Sequence, residues 1–136
     1  MKRVMVDMSA TLIHHGHIRI LKEAKKYGRV VIALTTDEEI LKAKGFVPEL
    51  RYNFRREILE SIKYVDEVIP SNWLIDESFL DLHKIDLLVH GDDNTNLISK
   101  ERILILPRTS GISSSFLRNK IRFSNESAIG KAKIRE

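Results

Sequence analysis

Cysteine is absent from this 136-residue chain. That excludes disulfides and every thiolate zinc site, and it suits a reducing compartment, so a cytoplasmic location is expected. No apolar run approaches the roughly 20 residues a helix needs to cross a bilayer, so membrane insertion is not expected. The opening Met1-Lys2-Arg3-Val4-Met5-Val6-Asp7 holds an apolar stretch too short for a secretion signal and cut by an acid. Tryptophan occurs once and aromatics make up 7% of the chain, too few for a base-stacking platform. The lysines and arginines are scattered and many stand beside acids. Without a basic stripe, the net charge of +4 and an isoelectric point near 9.4 favour a small anionic ligand over nucleic acid. Internal repeats and low-complexity tracts are also missing. What is present is ordinary for one globular domain: 43% hydrophobic and 31% charged residues, in a chain long enough to bury a core.

Short apolar runs alternate with amphipathic segments. Val4-Met5-Val6 precedes a helical pattern over 16–27, closed by Gly28 as a left-handed cap. The β-branched run Val30-Val31-Ile32-Ala33-Leu34 reads as a buried strand. Thr36 caps a helix over 38–44, and a loop with Gly45 and Pro48 leads to a longer helix over 53–64. A strand at 67–69 stops at Pro70. A helix over 76–84, strands at 86–90 and 102–106, and a serine-capped helix over 113–122 complete the pattern. The expected organisation is one domain over 1–122 and a loose tail or short peripheral helix over 123–136. Strands alternating with helices predict an α/β, Rossmann-like, doubly wound parallel sheet of about five strands with helices on both faces. Ligands then bind beyond the carboxyl ends of the strands, near residues 7–17, 35–44, 91–94 and 108–115.

Two of those segments carry chemistry. His14-His15-Gly16-His17 opens the first helix, where free N–H groups and the positive dipole end favour phosphate. Gly16 lets the backbone approach a ligand, and His14 and His17 can donate to phosphate oxygens as charge grows in a transition state. A bland reading is a helix start that happens to be rich in histidine. No further His, Cys or paired carboxylate lies at metal-ligand spacing, so no protein metal site is expected. Pro107-Arg108-Thr109-Ser110-Gly111-Ile112-Ser113-Ser114-Ser115 is a second strand–loop–helix entry rich in hydroxyls, with an arginine to neutralise charge. A plain serine cap is its bland reading.

Together these segments resemble the cytidylyltransferases, nucleotidyltransferases with an H-x-G-H motif. The branches most alike are the glycerol-3-phosphate cytidylyltransferases and the cytidylyltransferase domains fused to phosphoenolpyruvate mutase. The stretch from Tyr52-Asn53-Phe54-Arg55 to Val65-Asp66-Glu67-Val68-Ile69-Pro70 and Gly91-Asp92-Asp93 also match, so the resemblance covers roughly residues 3–121. It implies transfer of CMP from CTP, with Mg²⁺ accompanying the triphosphate, and a homodimer. His14 and His17 would hold the phosphates and stabilise the pentavalent α-phosphorus. Arg108 would contact the triphosphate, and Thr109, Ser113 and Ser114 would add donors. Met8, Ser9, Gly16, Gly91, Asp92, Asp93, Gly111 and Ile112 join them as nucleotide-binding candidates. Lys44, aided by Lys42, would reach phosphate from a mobile loop, and Arg55 would lie near the acceptor.

One departure bears on the acceptor. The glycerol phosphate branch carries G-T-F-D before the histidines, where this chain has Met8-Ser9-Ala10-Thr11. Thr11, also an acceptor-side candidate, cannot replace an aspartate's charge. The mutase-associated branch carries a similar M-S-A-D-L-I-H pattern. A small phosphate- or phosphonate-bearing acceptor is the expectation, 2-aminoethylphosphonate or a hydroxyalkylphosphonate included. Adenylyl transfer from ATP is the alternative within enzymes, and a non-catalytic nucleotide-binding protein the alternative outside them.

Overall fold

Residues 1–123 are described by the computed structural model, so most of the expected tail at 123–136 lies outside the described residues. The elements follow in order: β1 (Arg3–Met8), α1 (His15–Lys25), β2 (Arg29–Thr35), α2 (Asp37–Lys44), α3 (Tyr52–Glu60), β3 (Glu67–Ser71), α4 (Glu77–Leu82), β4 (Leu87–Gly91), a 3₁₀ turn (Lys100–Arg102) and β5 (Ile103–Leu106). A last helix, α5, covers 114–123. The strands form one five-stranded sheet in the order β3-β2-β1-β4-β5, and every pairing is parallel. The expected α/β Rossmann-like sheet is the fold observed.

Alternation along each strand sends successive side chains to opposite faces and builds two cores. On one face Val4, Val6, Ile32 and Leu34 pack against Leu21 and Ala24 of α1 and Leu59 of α3. On the other, Met5, Val31, Ala33 and Leu88 pack against Ile75, Ile85 and Leu80 of α4. Interior strand β2 is buried from Val30 onward and apolar from Val30 to Leu34, as a strand covered on both faces requires. No helix among the described residues is long and apolar enough to cross a membrane.

Two local expectations are corrected. Pro70 does not stop β3; it lies inside it, opposite Leu34. β3 is the sheet's edge, so a residue without an N–H is tolerated there. Gly28 does not cap α1, because Lys26 already does so in right-handed helical geometry. A Cβ at Gly28 would instead lie 2.2 Å from the Lys2 carbonyl oxygen, which accepts the N–H of Arg29 at 2.8 Å. Glycine serves here for close approach between the starts of β1 and β2.

The largest fully buried side chain is a charged one, Arg55 of α3. Its Nε donates to the Leu50 carbonyl at 2.9 Å, and Nη1 to the carbonyls of Ser9 at 2.7 Å and Thr35 at 2.8 Å. Nη2 meets the Asp37 carboxylate at 2.6 Å. Burial would raise the Asp37 pKa, but hydrogen bonds from the Tyr52 N–H, Arg55 and Arg51 outweigh it and hold the group below the usual carboxylate range. The acceptor-binding role expected of Arg55 is therefore overturned: it is wholly buried, and its donors go to three backbone carbonyls and the Asp37 carboxylate. Arg55→Lys keeps the charge but loses the planar fork. We expect on the order of 3–5 kcal/mol of lost folding stability, the scale for breaking a buried pair. Urea unfolding measures it.

Candidate active site

Strand order reverses beside β1, whose neighbours are β2 and β4, and a cleft of about 840 Å³ opens there. That is near the top of the range for small-molecule sites and roomy for a nucleotide with a small second substrate. After β1 the chain turns sharply through Ala10, a buried residue in left-handed geometry with φ of 46°. The turn brings Met8, Ser9 and Thr11 to the cleft wall.

His14 is the N-cap of α1, and its Nδ1 accepts the Gly16 N–H at 3.1 Å. His17 answers: its Nδ1 accepts the His14 N–H at 3.1 Å. The ring centroids lie 4.0 Å apart. Burial, reinforced by the neighbouring His14, pulls the His17 pKa down to about 3. Burial and then His15 also lower that of His14. Both rings are thus neutral with Nδ1 engaged, which leaves the proton on Nε2. The cleft they line is offered two Nε2–H donors. The helix start is less open than its sequence implies, since the Gly16 and His17 N–H groups are capped by His14 itself. A Cβ on Gly16 would lie 2.8 Å from the His14 ring, so this glycine makes room for the capping imidazole rather than for a ligand.

The second segment faces the first. Arg108, Thr109, Ile112, Ser113 and Ser114 all line the cleft. Ser113 caps α5, accepting the Phe116 N–H at 3.0 Å. The Ser114 hydroxyl is consumed at Leu12, donating to its carbonyl at 2.8 Å and accepting its N–H at 3.2 Å. That stitches α5 to the loop before α1, so Ser114 is structural through its hydroxyl. Arg108 passes over Gly91, where a Cβ would lie 3.2 Å from its Cγ, and its Nη1 stands 3.8 Å from Asp93.

A polar cluster of which the sequence pointed only to Asp93 spans the strand-order reversal. Asp7, next to the last residue of β1, pairs closely with His90 of β4 through Nδ1. His90 Nε2 lies 3.4 Å from Asp93. Asn96, buried in the following loop, donates to Asp7 at 3.0 Å and accepts the Ile75 N–H at 2.7 Å. Asp7, His90, Asp93 and Asn96 all line the cleft. Burial is the largest single influence on His90 and would lower its pKa, but the Asp7 hydrogen bond and charge, with Asp93, outweigh it and raise it.

Three remaining candidates sit elsewhere. Lys42 points outward, 79% exposed, with Glu39 at 3.9 Å. Asp92 is exposed and does not line the cleft, and Gly111 forms the left-handed turn before α5 at φ 77°. Each is a correction: Lys42 lies on the solvent side of α2, and at Asp92 and Gly111 the chain turns so that a neighbour faces the cleft instead. Lys44 does line the cleft, its ammonium 5.4 Å from the ring centroid of Trp73.

The Cytidylyltransferase-like family model matches residues 9–120. Glycerol-3-phosphate cytidylyltransferase of Bacillus subtilis (strain 168) is 39% identical over 127 residues, covering 89% of this chain and 98% of that protein. The chain belongs to the cytidylyltransferase-like family. Its Staphylococcus aureus (strain NCTC 8325 / PS 47) relative of the same name is 35% identical, covering 89% of this chain and 96% of the other. Ethanolamine-phosphate cytidylyltransferase of Mus musculus is 38% identical over 98 residues, which is 68% of this chain but 23% of that longer protein. Among solved structures, the lipopolysaccharide core biosynthesis protein of Thermoplasma volcanium GSS1 superposes with a TM-score of 0.69 over 81% of this chain and 99% of its own. At 24% identity that likeness speaks to the fold alone.

In this cytidylyltransferase-like chain the His90 cluster gives a signed pH effect. A raised folded pKa contributes stability below about 6.5, lost as pH rises through the folded value. His14 and His17, with lowered pKa values, act oppositely: their contribution is full above about 6.5 and is lost as pH falls. Global melts mix the two, so site-resolved NMR is the measurement. The His90 ring should titrate above the free-histidine value, and Asp7→Asn should move its midpoint below that value.

Proposed function

We propose that the protein transfers CMP from CTP to a small acceptor bearing a phosphate or phosphonate, releasing pyrophosphate. The observation that carries this is the pair of neutral imidazoles, Nδ1 locked and Nε2–H free, in the same cleft as Arg108 and the start of α5. An acceptor oxygen attacks the α-phosphorus as the bond to the β-phosphate oxygen breaks. That oxygen is already anionic near neutral pH, so no strong base is required, and catalysis consists of positioning and charge stabilisation. The histidines would donate to oxygens that gain charge in the transition state, and Lys44 and Arg108 would neutralise the triphosphate and leaving pyrophosphate. Mg²⁺ fits as a passenger of CTP. Among the described residues no cluster of three potential ligands stands ready for a resident ion, and magnesium commonly relies on substrate phosphates and water.

The carboxylates of the cleft favour one kind of acceptor. Asp7 and Asp93 stand beside His90, and Asp93 also lies 3.8 Å from Arg108, so negative and positive groups meet in the one cleft. A zwitterion with a cationic amine at one end and a phosphate or phosphonate at the other complements both; a neutral polyol phosphate does not. Aminoalkyl phosphates and aminoalkylphosphonates are therefore the acceptors we put first.

The deciding experiment is pyrophosphate release with CTP or ATP against 2-aminoethylphosphonate, ethanolamine phosphate, a hydroxyalkylphosphonate and glycerol 3-phosphate. CTP with an amine-bearing acceptor should give the highest kcat/KM, and Asp7→Asn should erase the preference for the amine. Release with ATP but not CTP would replace the nucleotide assignment, and preference for glycerol 3-phosphate would remove the amine. His17→Ala should lower kcat by roughly 10²–10³, the usual loss for one transition-state donor. Turnover unchanged in that variant would sink the role of this ring.

A further inference from the structure

Arg118 of α5 is gripped by segments remote from it in sequence. Its Nη2 donates to the Glu49 carboxylate at 2.7 Å, and Nε makes a second, very close contact with the same group. Nη2 also donates to the Thr11 hydroxyl at 3.0 Å. The guanidinium lies 4.3 Å from the ring centroid of Phe46. Phe46 and Glu49 belong to the segment joining α2 to α3, and Thr11 to the turn after β1. Thr11, Phe46 and Arg118 all line the cleft, as does Lys44, the last residue of α2.

Bulk stability does not account for this arrangement. Glu49 is 42% exposed, and an ion pair with one partner so exposed adds little to folding stability. Its geometry, by contrast, is specific: a two-point grip from Glu49, a hydroxyl on a third side and an aromatic face beneath. The segment it restrains begins at Gly45, left-handed at φ 79° with nothing near its missing Cβ, the kind of position about which a loop swings. Lys44 stands directly before that glycine and is itself exposed.

We propose that Glu49 and Arg118 form a positioning latch. It ties the 45–51 segment to α5 across the mouth of the cleft and so holds Lys44 where it can meet phosphate, with Thr11 fixing the orientation of Arg118. Neither residue of the latch performs chemistry. This rests on the transfer reaction proposed above for its kinetic consequence, but not for its structural one. Thr11 has a part here that an aspartate could not fill without change. A carboxylate at position 11 would compete with Glu49 for the same guanidinium, whereas a neutral hydroxyl orients Arg118 and leaves its charge to the loop.

The test uses the full chain with Glu49→Arg, Arg118→Glu and the exchanged double variant. Each single reversal should leave the melting temperature within a few degrees of wild type and speed hydrogen–deuterium exchange across 45–51 while the sheet stays protected. In CMP transfer each should raise the KM for CTP and lower kcat/KM by roughly tenfold or more, about 1.4 kcal/mol. The double variant should recover both the protection and most of the kinetics, a rescue that loss of general stability cannot produce. Unchanged exchange and kinetics in the single variants would overturn the latch, as would a double variant no better than either single. If the wild type released no pyrophosphate with any acceptor, the transfer reading would fall while exchange still decided the latch.

Discussion

A single buried guanidinium sets the shape of the cleft. Arg55 is wholly enclosed, and a charge so placed survives only when every donor finds an acceptor. Its acceptors are the carbonyl of Ser9 just past β1, that of Thr35 at the end of β2, that of Leu50 before α3, and Asp37 at the start of α2. Carbonyls at strand ends lie where the sheet ladder has run out, and they must be satisfied by something. By satisfying them from behind, Arg55 fixes the angle at which the chain leaves β1 and β2. The turn through Ala10 starts from that fixed point, and the histidine segment follows it. The arginine touches no ligand, yet the wall that would touch one is held by it.

The cleft so framed carries both signs of charge. Arg108 and Lys44 line it, and so do Asp7 and Asp93. His90 lies between the two carboxylates and is held by both, while Asp93 also faces Arg108. Charge therefore alternates through Asp7, His90, Asp93 and Arg108 across the strand-order reversal. In a partly desolvated cleft such an arrangement is set before any ligand arrives, so less reorganisation is left for binding.

Much of this was legible in the sequence, and the rest was hidden for physical reasons. Strands with a continuous β-branched run, such as β2, declare themselves, because burial on both faces permits nothing else. The histidine and arginine–serine segments were found because helix starts have local signatures. What could not be read was pairing across distance. His90 has no partner nearby in sequence other than Asp93; its main one, Asp7, is 83 residues away and meets it only because β1 and β4 are neighbours. Arg55 looks like an exposed helical arginine until four separate segments close around it. Pro70 misleads because its position at the sheet edge is a property of strand order. The doubled role of His14, both helix cap and cleft donor, is likewise visible only once the ring's orientation is known.

That doubled role explains why neutral rings suit this site. A protonated imidazole would hold a triphosphate strongly before reaction and gain little more during it. A neutral Nε2–H binds the ground state modestly and strengthens as charge gathers on the oxygens it faces. Neutrality must then be enforced near an anionic ligand, which would otherwise draw a proton onto the ring. Here it is enforced twice: burial disfavours the charged form of His17, and Nδ1 of each ring is already occupied by a backbone N–H, the atom a second proton would need. Protonating either ring means breaking the cap of α1. The helix start and the electrostatics of the transfer step thus rest on the same two hydrogen bonds.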